Sequence, residues 1–364
     1  MKLRIGENIK AYRKIKNITQ EQLAEMLGIS CQSVSRWELG VCYPDMELLP
    51  NIAKIFHVSV DTLLGVDDLM EKEKVNDYLA RFQAAINKGK VHECISIARD
   101  GVAEYPNNFA LLNKLMYALF ISGDDDGNIP EWKENMEGYD VEIIALGERI
   151  MAHCPDQDIR LEATARLAFQ HCEMGRVQIG RAIYETLPSK TLCRENQIWW
   201  GLEEKEKLSF LRNKIRQDYE DLKSSMWLLA TAEKIPDREA ITVLEKVFAL
   251  DDLICDGNLP ANGWGSARLH YDMAKLYARL REAEHMFEHL NLSAESAKAF
   301  DSRPITQSYS SVLLEKVELN RTDFETTDTR SLCEIVHEKW LANQEFDCYR
   351  NTEEFQAIIQ YLKE

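Results

Sequence analysis

Gln32 and Arg36 stand four residues apart in the stretch TQEQLAEMLGISCQSVSRWELG, residues 19–40. Four residues is just over one turn of an α-helix, so both side chains open on one face. Glutamine pairs in bidentate fashion with the edge of adenine and arginine with the edge of guanine, so this face has the chemistry of a base reader in a DNA major groove. Cys31, Gln32 and Ser33 fall at the exposed start of the same helix. Gln20, at the start of the helix before it, stands where a backbone amide and a side chain can reach a phosphate. The set read as DNA-facing is Gln20, Ser30, Cys31, Gln32, Ser33, Ser35 and Arg36. Val34 and Trp37 point the other way, into a small core, and Ala24 is small because the next helix crosses close to it.

These side chains need a scaffold, and residues 1–65 supply five short helical patterns. Leu3, Ile5, Ile9, Tyr12 and Ile15 recur at three- and four-residue spacing and mark a first amphipathic helix. Thr19 is an N-cap, and Gln22 three residues on completes a capping box. Leu23, Ala24 and Leu27 form the apolar face of the second helix, which Gly28 ends. The turn Gly28-Ile29-Ser30 joins it to a third helix capped by Ser30 and ended by Gly40. A fourth pattern runs from Asp45 to Phe56, with a kink or a late start expected at Pro50. Ser59 caps a fifth, which carries Leu63 and Leu64.

Residues 5–64 resemble the lambda-repressor-like (XRE) helix-turn-helix family. The pattern is matched at Thr19, Gln20, Leu23, Ala24, Leu27, Gly28, Ile29, Ser30, Val34, Ser35, Trp37, Glu38 and Gly40. Downstream, Pro44, Leu48, Ile52, Ala53, Val58, Ser59, Leu63, Leu64 and Gly65 also fit. The resemblance implies that Gln20, Cys31, Gln32, Ser33 and Arg36 face double-stranded DNA, usually as a homodimer on a palindromic operator. Cys31 departs from the family, where a polar or basic residue is more usual. A thiol at that place admits an effect of oxidation or alkylation on binding.

The chain has 364 residues, too many for one compact domain, with 45% hydrophobic and 29% charged residues. Net charge is −17. Residues 1–65 carry eight Lys/Arg and seven Asp/Glu, so the first domain is +1 and the rest −18. A locally basic segment on an acidic body is compatible with one face meeting phosphate. Lys10, Arg13, Lys14 and Lys16 suit that role, or equally an ordinary solvated helix face. No apolar run reaches the roughly 20 residues of a membrane helix. There is no secretory h-region, and the nine cysteines form no C-x-x-C pair, which points to a reducing cytoplasm.

Residues 67–74 read as a linker, or as the start of the next helix. From 75 to 364 the chain reads as paired helices. Gly89 precedes Pro106 by 17 residues, Pro155 precedes Pro188 by 33, and Pro106 precedes Pro155 by 49, one period plus an insertion at 124–140. A helical hairpin of about 34 residues accounts for all three. This region resembles the tetratricopeptide-type domains carried by many bacterial regulators, in which the repeats often dimerise and bind a peptide or protein. The stretch 266–300 reads as two antiparallel helices and 346–363 as a terminal capping helix. Asn113 and Arg166 are candidates to line a peptide groove.

The expected fold is all-α: a five-helix head at 1–66, then an α-solenoid of helical hairpins. Strand signals are nearly absent. His285 and His289 with Glu284 and Glu288 could hold a metal on one helical face, as could His153-Cys154 with His171-Cys172, although a solvated face and ordinary packing explain both. Trp199-Trp200 and Trp264 could stack a ligand or fill a core. Asp124-Asp125-Asp126-Gly127-Asn128 resembles a calcium loop without its closing glutamate and reads as an exposed acidic loop. With no phosphate-cradling glycine motif and no nucleophile elbow, the expectation is a non-enzymatic regulator without cofactor or metal. The competing reading is a protein-interaction scaffold with a weak DNA-tethering head.

Overall fold

A computed structural model describes residues 5–123, 129, 131–256 and 263–364. The chain divides into two compact units, Met1–Phe82 with Ile97–Leu111, and Gln83–Ser96 with Leu112–Glu364. The first unit opens with the helices α1 (Ile5–Ile15), α2 (Gln20–Leu27), α3 (Cys31–Glu38), α4 (Leu49–Phe56) and α5 (Val60–Leu64). Both halves of the Thr19–Gln22 capping box are formed, and Ser30 and Ser59 each cap the helix that follows. Pro50 falls in the first turn of α4, where its missing N–H costs nothing; a 3₁₀ turn at Met46–Leu48 precedes it, so the late start holds rather than the kink. Ile5, Ile9, Leu23, Val34, Ile52 and Leu63 are almost fully buried and form one core with Ala24 and Trp37. Residues 67–74, expected as a linker or as the start of the next helix, lie within α6, which runs unbroken from Val66 to Ile86.

The chain continues through α7 (Val91–Glu104), α8 (Phe109–Ile121), α9 (Trp132–Gly138), α10 (Asp140–His153), α11 (Gln157–Glu173) and α12 (Val177–Tyr184). After α13 (Arg194–Gln197) come α14 (Glu204–Ala230), α15 (Asp237–Cys255), α16 (Gly263–Leu280) and α17 (Ala283–Asp301). Consecutive helices pack from α10 to α12 and from α14 to α17. The insertion thus contains a short helix of its own; its acidic stretch 124–128 lies outside the described residues. A buried polar knot joins α10 to α11. Asp140 Oδ1 accepts from Gln170 Nε2 at 3.0 Å and from Arg176 Nη2 at 2.6 Å.

The expectation of an all-α chain with almost no strands holds, with one short hairpin beside the helices. β1 (Thr306–Tyr309) and β2 (Val317–Asn320) form an antiparallel pair in which Thr306 faces Asn320 and Tyr309 faces Val317. Four residues per strand are too few for a period-2 pattern to stand out from a loop. After α18 (Leu332–Ile335), a single π-helical turn at Val336–Trp340 leads on, and α19 (Glu353–Lys363) packs on α17. No helix among the described residues is long and apolar enough to cross a membrane.

Candidate nucleic-acid interface

α3 is anchored by one face and exposed on the other. Val34, Trp37 and Glu38 are buried, Gln32 and Arg36 are exposed, and Cys31, Ser33 and Ser35 are half-buried. Its close approach to α1 depends on Gly6. A Cβ on that residue would stand 2.0 Å from the Trp37 carbonyl oxygen, so no larger side chain fits without moving the backbone. The sequence held no sign of this, because the spacing of apolar residues does not report how closely two backbones approach. Asn8 Nδ2 donates to the carbonyls of Thr62 and Leu63 at 3.3 and 3.2 Å, which ties α1 to the end of α5.

Glu38 is the electrostatic pivot of the head. Arg13 grips it bidentately, Nε to Oε1 at 2.6 Å and Nη2 to Oε2 at 2.9 Å, and Arg13 Nη1 also donates to the Ile18 carbonyl at 2.9 Å. Burial alone would raise the Glu38 carboxyl. The hydrogen bonds from Arg13 and Gln20, with the Arg13 charge, outweigh that and hold it below its ordinary value. Arg13 in turn is raised, chiefly by its hydrogen bond to Glu38. Of the four basic residues of the first helical segment, Arg13 is therefore a structural cation, while Lys10, Lys14 and Lys16 are exposed. One signal was available in the sequence: Glu38 lies four residues from Val34 and beside Trp37, on the buried side, where a carboxylate requires a partner.

The seven residues read as DNA-facing separate into kinds. Gln32 and Arg36 are exposed one turn apart, and the Arg36 side chain has no hydrogen-bond or ion-pair partner among the described residues. Gln20 turns its side chain inward, donating from Nε2 to Glu38 Oε2 at 2.8 Å. Ser30 caps α3 by accepting from the Ser33 N–H at 3.2 Å, and the two hydroxyls bond to each other at 2.8 Å. Cys31 donates its thiol to Glu21 Oε1 at 3.6 Å. Desolvation first, and then the Glu21 charge, raise that thiol, which disfavours the reactive thiolate.

Several residues of the other constellations have partners within the protein. His270 Nδ1 and His289 Nδ1 share a hydrogen bond at 2.9 Å, and His285 and His289 both stack on Tyr277. His171 accepts from Arg176 Nε at 2.9 Å, while His153 is exposed. Trp264 packs in an aromatic cluster with Phe300, Phe324 and Trp340. Trp199 stands beside Phe210, and Trp200 is exposed. Asn113 and Arg166 do meet: Arg166 Nη1 donates to Asn113 Oδ1 at 2.7 Å, and Asn113 Nδ2 donates to Glu162 Oε2 at 2.9 Å.

Five short helices with a buried Glu38–Arg13 pivot and an exposed polar face on the third define a helix-turn-helix head. The helix-turn-helix family model matches residues 9–63. The HTH-type transcriptional activator BcrR of Enterococcus faecalis is 44% identical over 68 residues, 19% of this chain. This chain spans 33% of BcrR's length. The HTH-type transcriptional regulator MJ0272 of Methanocaldococcus jannaschii, itself uncharacterised, is 38% identical over 60 residues, 16% of this chain and 91% of that protein. The chain belongs to the XRE-type helix-turn-helix family of transcriptional regulators. Among solved structures, Bacillus thuringiensis PlcR in complex with the peptide PapR7 and DNA aligns with 81% of this chain and 94% of that one, at 16% identity and a TM-score of 0.32.

Proposed function

We propose that this protein is a sequence-specific DNA-binding regulator that reads a palindromic operator as a homodimer in the cytoplasm and takes an effector on its helical region. The observation that carries the DNA reading is the contrast between two arginines. Arg13 is neutralised by Glu38, whereas Arg36 projects from α3 unpaired, one turn from the exposed Gln32. An unpaired guanidinium beside an amide, on a helix fixed by its opposite face, suits bidentate contact with guanine and adenine edges. With the Gln20 side chain turned to Glu38, the contribution of this residue to phosphate binding falls to the backbone N–H groups of the first turn of α2.

A second copy has a surface to meet. Leu208, Leu211, Ile215, Leu222 and Leu229 recur along α14 at three-, four- and seven-residue spacings. The four leucines are 41–61% exposed. A self-complementary strip of this kind fits an isologous helix pair. For the effector, the Asn113–Arg166–Glu162 cluster offers peptide-binding chemistry. Its groups already bond one another, so a peptide would have to exchange for those bonds.

The DNA reading is tested by fluorescence anisotropy on an operator duplex and on a scrambled one. Arg36→Ala is expected to weaken operator binding by about 1–3 kcal/mol and to leave the scrambled duplex nearly unaffected. Equal losses on both duplexes would reduce Arg36 to a phosphate contact.

A further inference from the structure

A cavity of about 260 Å³ lies between the C-terminal end of α17 and the β1–β2 hairpin. Phe300, Arg303, Gln307, Leu319, Arg321 and Phe324 line it. Its aromatic wall belongs to the core of the helical region. Phe300 and Phe324 pack edge to face at 5.2 Å, and both contact Trp264, at 5.9 and 5.7 Å. The Arg303 guanidinium sits 3.4 Å from the centre of the Phe300 ring and donates from Nη1 to the Phe300 carbonyl at 2.5 Å. Arg321 is exposed, and its backbone N–H is tied to the Ile305 carbonyl at 2.8 Å. The Arg303 guanidinium is thus fixed by its own contacts, whereas Arg321 is tied through its backbone and its Nη1 reaches the Arg303 carbonyl at 3.5 Å.

Charge distinguishes this cavity from the rest of the molecule. The chain has 61 acidic and 44 basic residues, yet neither Arg303 nor Arg321 has a carboxylate within 4.0 Å among the described residues. Burial first, and then the charge of Arg321, lower the Arg303 pKa, so an anion between the two would relieve both costs. Gln307 Oε1 is buried and accepts no hydrogen bond from a described residue. Such an acceptor costs stability unless a donor meets it. Two carboxylates also line the cavity. Glu318 is held by Lys316 at 2.7 Å, whereas Asp323 has no cation within 4.0 Å among the described residues. The volume is below the roughly 300–1,000 Å³ of sites for drug-sized molecules, which restricts the ligand to about the size of an amino acid.

We propose that this cavity binds a small carboxylate ligand, an α-amino acid with an apolar side chain. Arg303 and Arg321 take its carboxylate, Gln307 Oε1 and Asp323 take its ammonium group, and Phe300 and Phe324 take its side chain. The site shares no residue with the DNA-reading face or with the Asn113–Arg166 cluster.

The test is calorimetric titration of the full-length protein with L-leucine and L-phenylalanine. L-phenylalaninamide, N-acetyl-L-phenylalanine and a Phe-Phe dipeptide serve as comparison ligands. The free amino acids are expected to bind, with the amide and the N-acetyl compound each at least about ten-fold weaker, as loss of a charged hydrogen-bonding end group requires. Tighter binding of the dipeptide would reassign the site to a peptide end and overturn the free-ligand proposal. Arg321→Gln, at an exposed position, is expected to keep the melting temperature and to weaken binding at least about ten-fold. Gln307→Leu is expected to weaken the free amino acids while leaving the N-acetyl compound unchanged. No heat from either amino acid at about 10 mM, a ligand level at which even millimolar affinity registers, would overturn the proposal. So would unchanged affinity in Arg321→Gln.

Discussion

Arg13 and Arg36 carry the same charge and differ in what opposes it. Arg13 faces a carboxylate whose side chain is 2% exposed, so removing the guanidinium leaves Glu38 buried without its cation. Arg13→Ala is expected to destabilise the head by about 3 kcal/mol, since breaking a buried pair costs far more than losing a surface one. Chemical denaturation of the full chain, followed by a probe in the head, checks this; a loss within about 0.5 kcal/mol, as for a surface pair, would contradict it. The same pair sets a pH dependence. The folded Glu38 carboxyl titrates below its ordinary 4.5, so its contribution is complete above that value and is lost as pH falls below it through the lowered folded value. Glu38→Gln should flatten that acid limb. The sequence located Arg36 and Gln32 as exposed side chains, because i and i+4 fix a face. It did not reveal that Arg13 and Gln20 turn inward, because that depends on a carboxylate brought from another helix.

Among the elements, those with periodic faces and capping residues were legible: Thr19 with Gln22, Ser30 and Ser59 bound the helices they precede. The hairpin at 306–320 was not, since each strand has four residues and its partner lies across a loop. Nor were the contacts of the segment after it. Gln83 Nε2 donates to Glu325 Oε1 at 2.7 Å and Tyr117 to Glu325 Oε2 at 3.1 Å, pairings more than 200 residues apart that no local pattern encodes. Gly89, legible as a turn glycine, proves to be fixed twice: its φ is +68°, and a Cβ would stand 2.4 Å from the Asp328 carbonyl oxygen. Gly6 is limited by space alone. Gly6→Ala is expected to cost the head about 2 kcal/mol or more by forcing α1 away from α3, read as a drop in its denaturation midpoint. An unchanged midpoint would mean that the helices do not approach as described. On α14, Leu208→Glu with Leu222→Glu should convert a dimer into a monomer in sedimentation and lower operator affinity, while helical content stays constant. A dimer that persists would move the interface elsewhere.

For the whole molecule, charge is divided as function would divide it: +1 on residues 1–65 and −18 on the remainder. With a nearly neutral head and a strongly acidic remainder, binding to random DNA should be weak and salt-sensitive, and base readout must supply the selectivity. An acidic scaffold with an idle head would show weak binding without sequence preference. The most direct measurement is selection of bound sequences from a random duplex library by the full-length protein at near-physiological salt. The expected result is an enriched inverted repeat with half-sites about 10 bp, or a multiple of it, apart, and loss of preference at one position of each half-site in Arg36→Ala. A folded protein that enriches no sequence, or the same sequence with and without Arg36, would contradict the assignment of α3 as the base reader.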